Sequence, residues 1–224
     1  MNPTIFFSIC SLFYCGLLLY MLFSKTEKKT VENKILKILT TINLFSLLCE
    51  GAGMFLGNNY ERFKLLNDVS LRLMLVLYIA WFSVFVLYVL NIAKNYKKLS
   101  IKKDIVLYVI MIIGMALACI LPIIYNTNED GVIIYSTGMA VQLVYYYAMG
   151  ASMTCLFIMF MNSKRVKVSN YTSLFALVIL STLAAAIQSY YPSLLLTASS
   201  ETFVLLLAYF SMKKRDVLDN KKKD

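Results

Sequence analysis

Long apolar runs separated by short lysine clusters constrain this chain more than any other feature. A membrane-spanning helix needs about 20 largely apolar residues. Seven runs meet or approach that length: Thr4–Phe23, Ile35–Gly57, Val69–Ala93, Ile105–Tyr125, Ile133–Met161, Tyr171–Ser189 and Leu194–Met212. The chain of 224 residues is 60% hydrophobic and 15% charged. A soluble domain is nearer half apolar and about a quarter charged. The predicted fold class is therefore all-α: a polytopic seven-transmembrane-helix bundle over 1–212, then a basic tail over 213–224. The loops between runs run to about a dozen residues at most, which leaves no room for an extramembrane domain.

The placement of charge predicts orientation. Lys25, Lys28, Lys29 and Lys34 follow the first run, Lys94 to Lys103 the third, and Lys164, Arg165 and Lys167 the fifth. The tail adds Lys213, Lys214, Arg215, Lys221, Lys222 and Lys223 on the same side. The opposite loops hold only Arg62 and Lys64, with Arg72 at the start of the third run. The positive-inside rule then puts the N-terminus outside and the C-terminus in the cytoplasm. The net charge of +10 is thus a topology signal, and nucleic acid is not an expected partner. The expected partner is the lipid bilayer, with span-end tyrosines such as Tyr60, Tyr125, Tyr171 and Tyr190 as an interfacial belt.

Several chemistries are disfavoured. The five cysteines lie inside apolar runs without a C-x-x-C pair, and histidine is absent. A zinc site or a Cys/His catalytic pair is not expected, and neither is any metal or cofactor. No phosphate-binding or dinucleotide-binding glycine motif occurs. The last run holds no lysine for a retinal Schiff base, and no aspartate lies within a run for an aspartyl intramembrane protease. The chain itself is not expected to be an enzyme.

Ionisable side chains inside hydrocarbon are costly and face a partner or a watery cavity by default. Glu50 and Glu201 each fall about 10 Å from the outer end of their helix, at about 1.5 Å per residue. Arg72, Gln142 and Gln188 fall in the same outer layer. Two readings stay open. In one, Arg72 neutralises a carboxylate, the glutamines bridge helices, and the cluster only fixes packing. In the other, Glu50, Arg72, Gln142, Gln188 and Glu201 line a cavity that binds a small ligand, a cation or a lipid. Tyr78, Trp81, Tyr145 and Tyr146 are its candidate walls. Asn43 and Asn91 lie nearer the cytoplasmic side and suit interhelical hydrogen bonds.

Three stretches are familiar together: Val31–Gly53, Leu121–Tyr146 and Ala185–Met212. Their most specific pieces are Glu32-Asn33-Lys34, Leu121-Pro122 with Tyr135-Ser136, and Gln188 through Tyr191-Pro192 to Glu201. The set resembles the N-terminal multi-pass membrane sensor region found ahead of bacterial histidine kinase or diguanylate cyclase (GGDEF) domains. That resemblance implies a signal-input module in the bacterial cytoplasmic membrane, and it carries over no binding residue. It also implies a small extracellular or membrane-borne ligand and a cytoplasmic histidine kinase or GGDEF partner. A homodimer is a further candidate assembly. No GGDEF string and no histidine phosphoacceptor occur, so the expectation is an isolated sensor region or a stand-alone relative. A small transporter or ion carrier using Glu50 and Glu201 is the competing function, and a regulatory subunit of another membrane protein is the third.

Overall fold

A computed structural model of the chain describes residues 3–24, 30–94, 105–129, 131–162, 168–193 and 196–220. Most of the basic clusters that carry the orientation argument, at 25–29, 95–104, 163–167 and 221–224, lie outside the described residues. So do Asp130 and the first two residues of the seventh run.

The helices are α1 (Pro3–Phe23), α2 (Val31–Gly57), α3 (Tyr60–Lys94), α4 (Ile105–Ile120), α5 (Met139–Met161), α6 (Val168–Tyr190) and α7 (Thr197–Asn220). Between α4 and α5 lies an antiparallel hairpin of β1 (Ile124–Thr127) and β2 (Ile133–Thr137). Four helices are long and apolar enough to cross a membrane, over Phe6–Phe23, Val31–Gly57, Tyr60–Ala93 and Met139–Met161. Ile105–Ile120 and Phe175–Tyr190 are apolar but shorter. The surface agrees with burial in lipid: Phe13, Tyr20 and Phe160 are 68, 80 and 74% exposed. Large side chains of that kind face hydrocarbon at no cost and face water badly. This pattern supports a helical membrane protein.

The fold is helical as expected, with a short hairpin where the fourth and fifth runs were predicted to be helix. Pro122 cannot continue a helix and restricts the residue before it, so α4 stops at Ile120 and does not run to Tyr125. The β-branched and aromatic runs on either side then pair, Ile124 with Thr137, Tyr125 with Ser136 and Asn126 with Tyr135. Asn128 closes the turn by accepting from the Val132 amide at 2.8 Å. Gly131 (φ 74°) and Gly138 (φ 110°) supply left-handed conformations at the turn and at the junction with α5. α5 therefore begins at Met139, not Ile133.

Two other boundaries shift for local reasons. Thr30 caps α2 by accepting from the Asn33 amide at 3.1 Å, so the helix starts at Val31, ahead of Ile35. Residues 60–68 lie between the second and third predicted runs but contain neither glycine nor proline, and they carry an exposed Glu61–Lys64 pair at 3.0 Å. They form the first turns of α3, with a kink at Phe63.

α3 is the central helix. It packs on α2, α4 and α5, while α7 closes the other side against α1, α2 and α6. Trp81 is wholly buried and stacks on Phe85 with centroids 5.1 Å apart. Gly114 lets α4 approach, since a Cβ there would stand 3.1 Å from the Tyr147 ring and 3.2 Å from Ile79.

Gly138→Ala tests the hairpin junction. Its Cβ would meet the Pro122 carbonyl oxygen at 2.7 Å, on top of the unfavourable φ. The substitution should cost about 1–3 kcal/mol, read as a lower thermal midpoint of the purified protein.

Candidate functional site

One end of the bundle is assembled from the hairpin and the helix ends around it. Behind β2 lies a cavity of about 140 Å³. Its walls come from α2 through Glu50, α3 through Asn67 and Tyr78, α5 through Tyr145, and α6 through Gln188. Residues 133–136 of β2 form a further side, and Thr197 at the start of α7 completes it.

Glu50 is 3% exposed. Ser8 of α1 donates to its Oε1, and the Tyr78 hydroxyl donates to its Oε2 at 3.4 Å. Both donors are neutral. Among the described residues no lysine or arginine lines the cavity.

Gln188 serves two structures at once. The residue borders the cavity, and its Oε1 accepts from the Leu196 amide (2.9 Å), the Thr197 amide (2.7 Å) and the Thr197 hydroxyl (2.6 Å). The first amides of a helix have no partner within it. Gln188 supplies that partner from α6, so the N-terminus of α7 hangs on a cavity-lining residue. Tyr145 joins the group through its hydroxyl, 3.5 Å from the Gln188 carbonyl oxygen.

Glu201 lies about one turn further along α7 and is 1% exposed. It does not line the cavity. Its Oε1 has no hydrogen-bond partner among the described residues. Its Oε2 accepts from the Asn43 amide at 3.1 Å in the amide orientation that satisfies both ends of Asn43. In that orientation the Asn43 oxygen also accepts from the Thr202 hydroxyl at 2.8 Å. Asn43 of α2 is thus clamped onto α7.

The structure separates the rest of the expected cluster. Arg72 neutralises neither carboxylate. Its Nε donates to Asp68 at 2.8 Å, and its Nη1 donates to the carbonyls of Cys119 (2.7 Å) and Leu121 (3.1 Å). Those carbonyls are the orphaned acceptors at the end of α4, and a guanidinium answers them well. Gln142 is exposed and lies off the cavity. Tyr146, one position beyond Tyr145 on α5, turns outward at 66% exposure. It borders a second, larger cavity of about 560 Å³ between α3, α4 and α5. Trp81 is buried beside Phe82, which lines the first cavity, but does not reach it. Tyr78 and Tyr145 do line it.

Sequence reasoning missed Ser8, Asp68 and the hairpin wall. Asp68 precedes the predicted third run, but its spacing of four from Arg72 is the helical ion-pair signature. Asp68 also accepts from the Tyr125 hydroxyl at 2.8 Å, tying β1 to α3. Partial burial and the Asp68 carboxylate hold the Tyr125 phenol protonated well above its usual range. Among the described residues no group of three or more His, Cys, Asp or Glu is placed to hold a metal ion. No protein-family model matches the chain, and a search of curated proteins finds no relative of it.

Gln188→Leu should expose the role of the cap. It removes the acceptor for both amides and should cost about 1–2 kcal/mol in thermal stability. Hydrogen exchange should quicken at Leu196 and Thr197 and stay unchanged in α3.

Proposed function

We propose that the protein is an integral-membrane sensor module whose cavity behind the hairpin receives a small ligand and whose α7 carries the response. The observation that carries this reading is the double use of Gln188: one residue lines the cavity and caps α7. A ligand shifts a conformational equilibrium only through different affinity for the two states. An occupant that draws on Gln188 loosens or tightens the N-terminus of α7, and the Asn43–Glu201 contact transmits the change against α2.

The full reading takes seven spans with the N-terminus outside, so the hairpin end faces out and α7 runs toward the cytoplasm. Its output is a cytoplasmic histidine kinase or GGDEF domain, in the bacterial membrane that the resemblance implies. The charge asymmetry of the sequence and the resemblance support this topology.

An ion carrier is the second reading. Glu50 and Glu201 are both buried, and neither forms an ion pair with any described residue. Buried carboxylates of that kind serve proton and cation pathways in transporters.

Glu201→Gln distinguishes the two. The amide keeps an acceptor for Asn43, so insertion and thermal stability should change little. With the chain fused to a reporter kinase, output should lock on or off. Unchanged output together with lost proton flux in proteoliposomes would select the carrier.

A further inference from the structure

We infer that the ligand of this cavity is a small organic cation, an alkylammonium of about five or six non-hydrogen atoms, with Glu50 as its counter-ion. The inference rests on the sensing reading and names its ligand class.

Size sets the first bound. The cavity measures about 140 Å³. A cavity of about 150 Å³ in another protein takes one benzene. A lipid chain or a peptide is too large for it. The second cavity, lined largely by Val86, Leu90, Leu107 and Ile110, is the roomier apolar one.

Charge sets the second. Among the described residues Glu50 is the single ionisable acid or base in the lining apart from Cys49 and the tyrosines. An anion would meet a carboxylate with no lysine or arginine beside it. A neutral apolar guest would leave that carboxylate buried with only two hydroxyl donors, Ser8 and Tyr78. An ammonium group offers the charge-assisted partner that the site lacks.

The walls set the third. Tyr78, Phe82, Tyr135 and Tyr145 bring four aromatic rings to one small cavity. Aromatic walls around a carboxylate suit an alkylated cation, whose charge gains from ring faces and whose carbons gain from burial. Met54 and Met74 add soft apolar surface that adapts to the body of the guest.

The test uses the purified full chain in lipid nanodiscs, with n-butylammonium, n-butanol and butyrate as probes of nearly equal size. Trp81 is the chain's one tryptophan, and its ring lies 5.3 Å from that of cavity-lining Phe82. Its emission therefore reports occupancy. n-Butylammonium should shift that emission saturably and raise Tm by about 5 °C at a hundredfold excess over Kd. n-Butanol and butyrate should bind about tenfold more weakly or worse. Glu50→Gln should weaken n-butylammonium about tenfold and spare n-butanol, while Glu61→Gln, at an exposed carboxylate, should bind like the parent. Should Glu50→Gln misfold, the three-probe comparison on the parent chain decides alone. n-Butanol binding as tightly as n-butylammonium overturns the cation assignment and leaves the sensing reading standing. n-Butylammonium binding that leaves a fused reporter kinase unmoved overturns the sensing reading and keeps the cation site. Absence of binding by every probe overturns the proposal.

Discussion

Hydrocarbon offers no hydrogen bonds, so each polar group that enters the bundle must be answered from inside the protein. Much of this structure follows from where those answers come from. Thr40, Ser83 and Thr182 fold their hydroxyls back onto carbonyls one turn earlier in their own helices. The end of α4 and the start of α7 each recruit a side chain from another helix. Arg72 crosses from α3 to the end of α4. Gln188 crosses from α6 to the start of α7. These two contacts hold adjacent helix ends in register at the same end of the bundle.

The hairpin depends on the first of them. At 16 residues α4 is about 24 Å long, short of a hydrocarbon core of about 30 Å. Its carbonyls would end bare without the guanidinium. The same arginine pairs with Asp68, and Asp68 takes the hydroxyl of Tyr125. The Tyr60 ring packs against Tyr125 with centroids 5.2 Å apart. Through that chain β1 is pinned to α3, and β2, paired to β1, is brought over the helix ends as a wall. A cavity exists there because strands, unlike a continued α5, leave space between α2, α3 and α6.

The apolar runs were legible because a span is a length and composition signal, and those survive in a single sequence. α1, α2, α3 and α5 each hold such a run, although α2 and α3 begin earlier and α5 later than the runs predict. The hairpin was not legible, because Ile133–Thr137 is apolar enough to read as the start of a helix. Only its β-branched content and the flanking Gly131 and Gly138 argue otherwise. Depth along each helix placed Glu50 and Gln188 in one layer, but depth says nothing of rotation. Gln142 and Tyr146 share that layer and point away, while Tyr145, which lies between them in sequence, lines the cavity. Asn43 makes the interhelical hydrogen bonds its polarity suggests, and its partners are Glu201 and Thr202 of α7. Contacts between helices far apart in sequence leave no periodic trace.

The two carboxylates, alike in sequence, end in different environments. Glu50 borders open space and takes hydroxyl donors from α1 and α3. Glu201 sits in a packed interface, half satisfied by one amide of α2 and with its second oxygen unanswered. A group on a cavity wall can meet a guest. A group wedged between two helices can only register how those helices sit. Asn43 lies on the same helix as Glu50, so a shift of α2 that accommodates a guest at Glu50 moves Asn43 against α7. Gln188 ties the cavity wall to the start of α7 from α6. Two attachments hold α7, one through Gln188 of the cavity wall and one through Asn43 on the helix that carries Glu50, and under the proposed sensing reading these make α7 the element that a ligand would move.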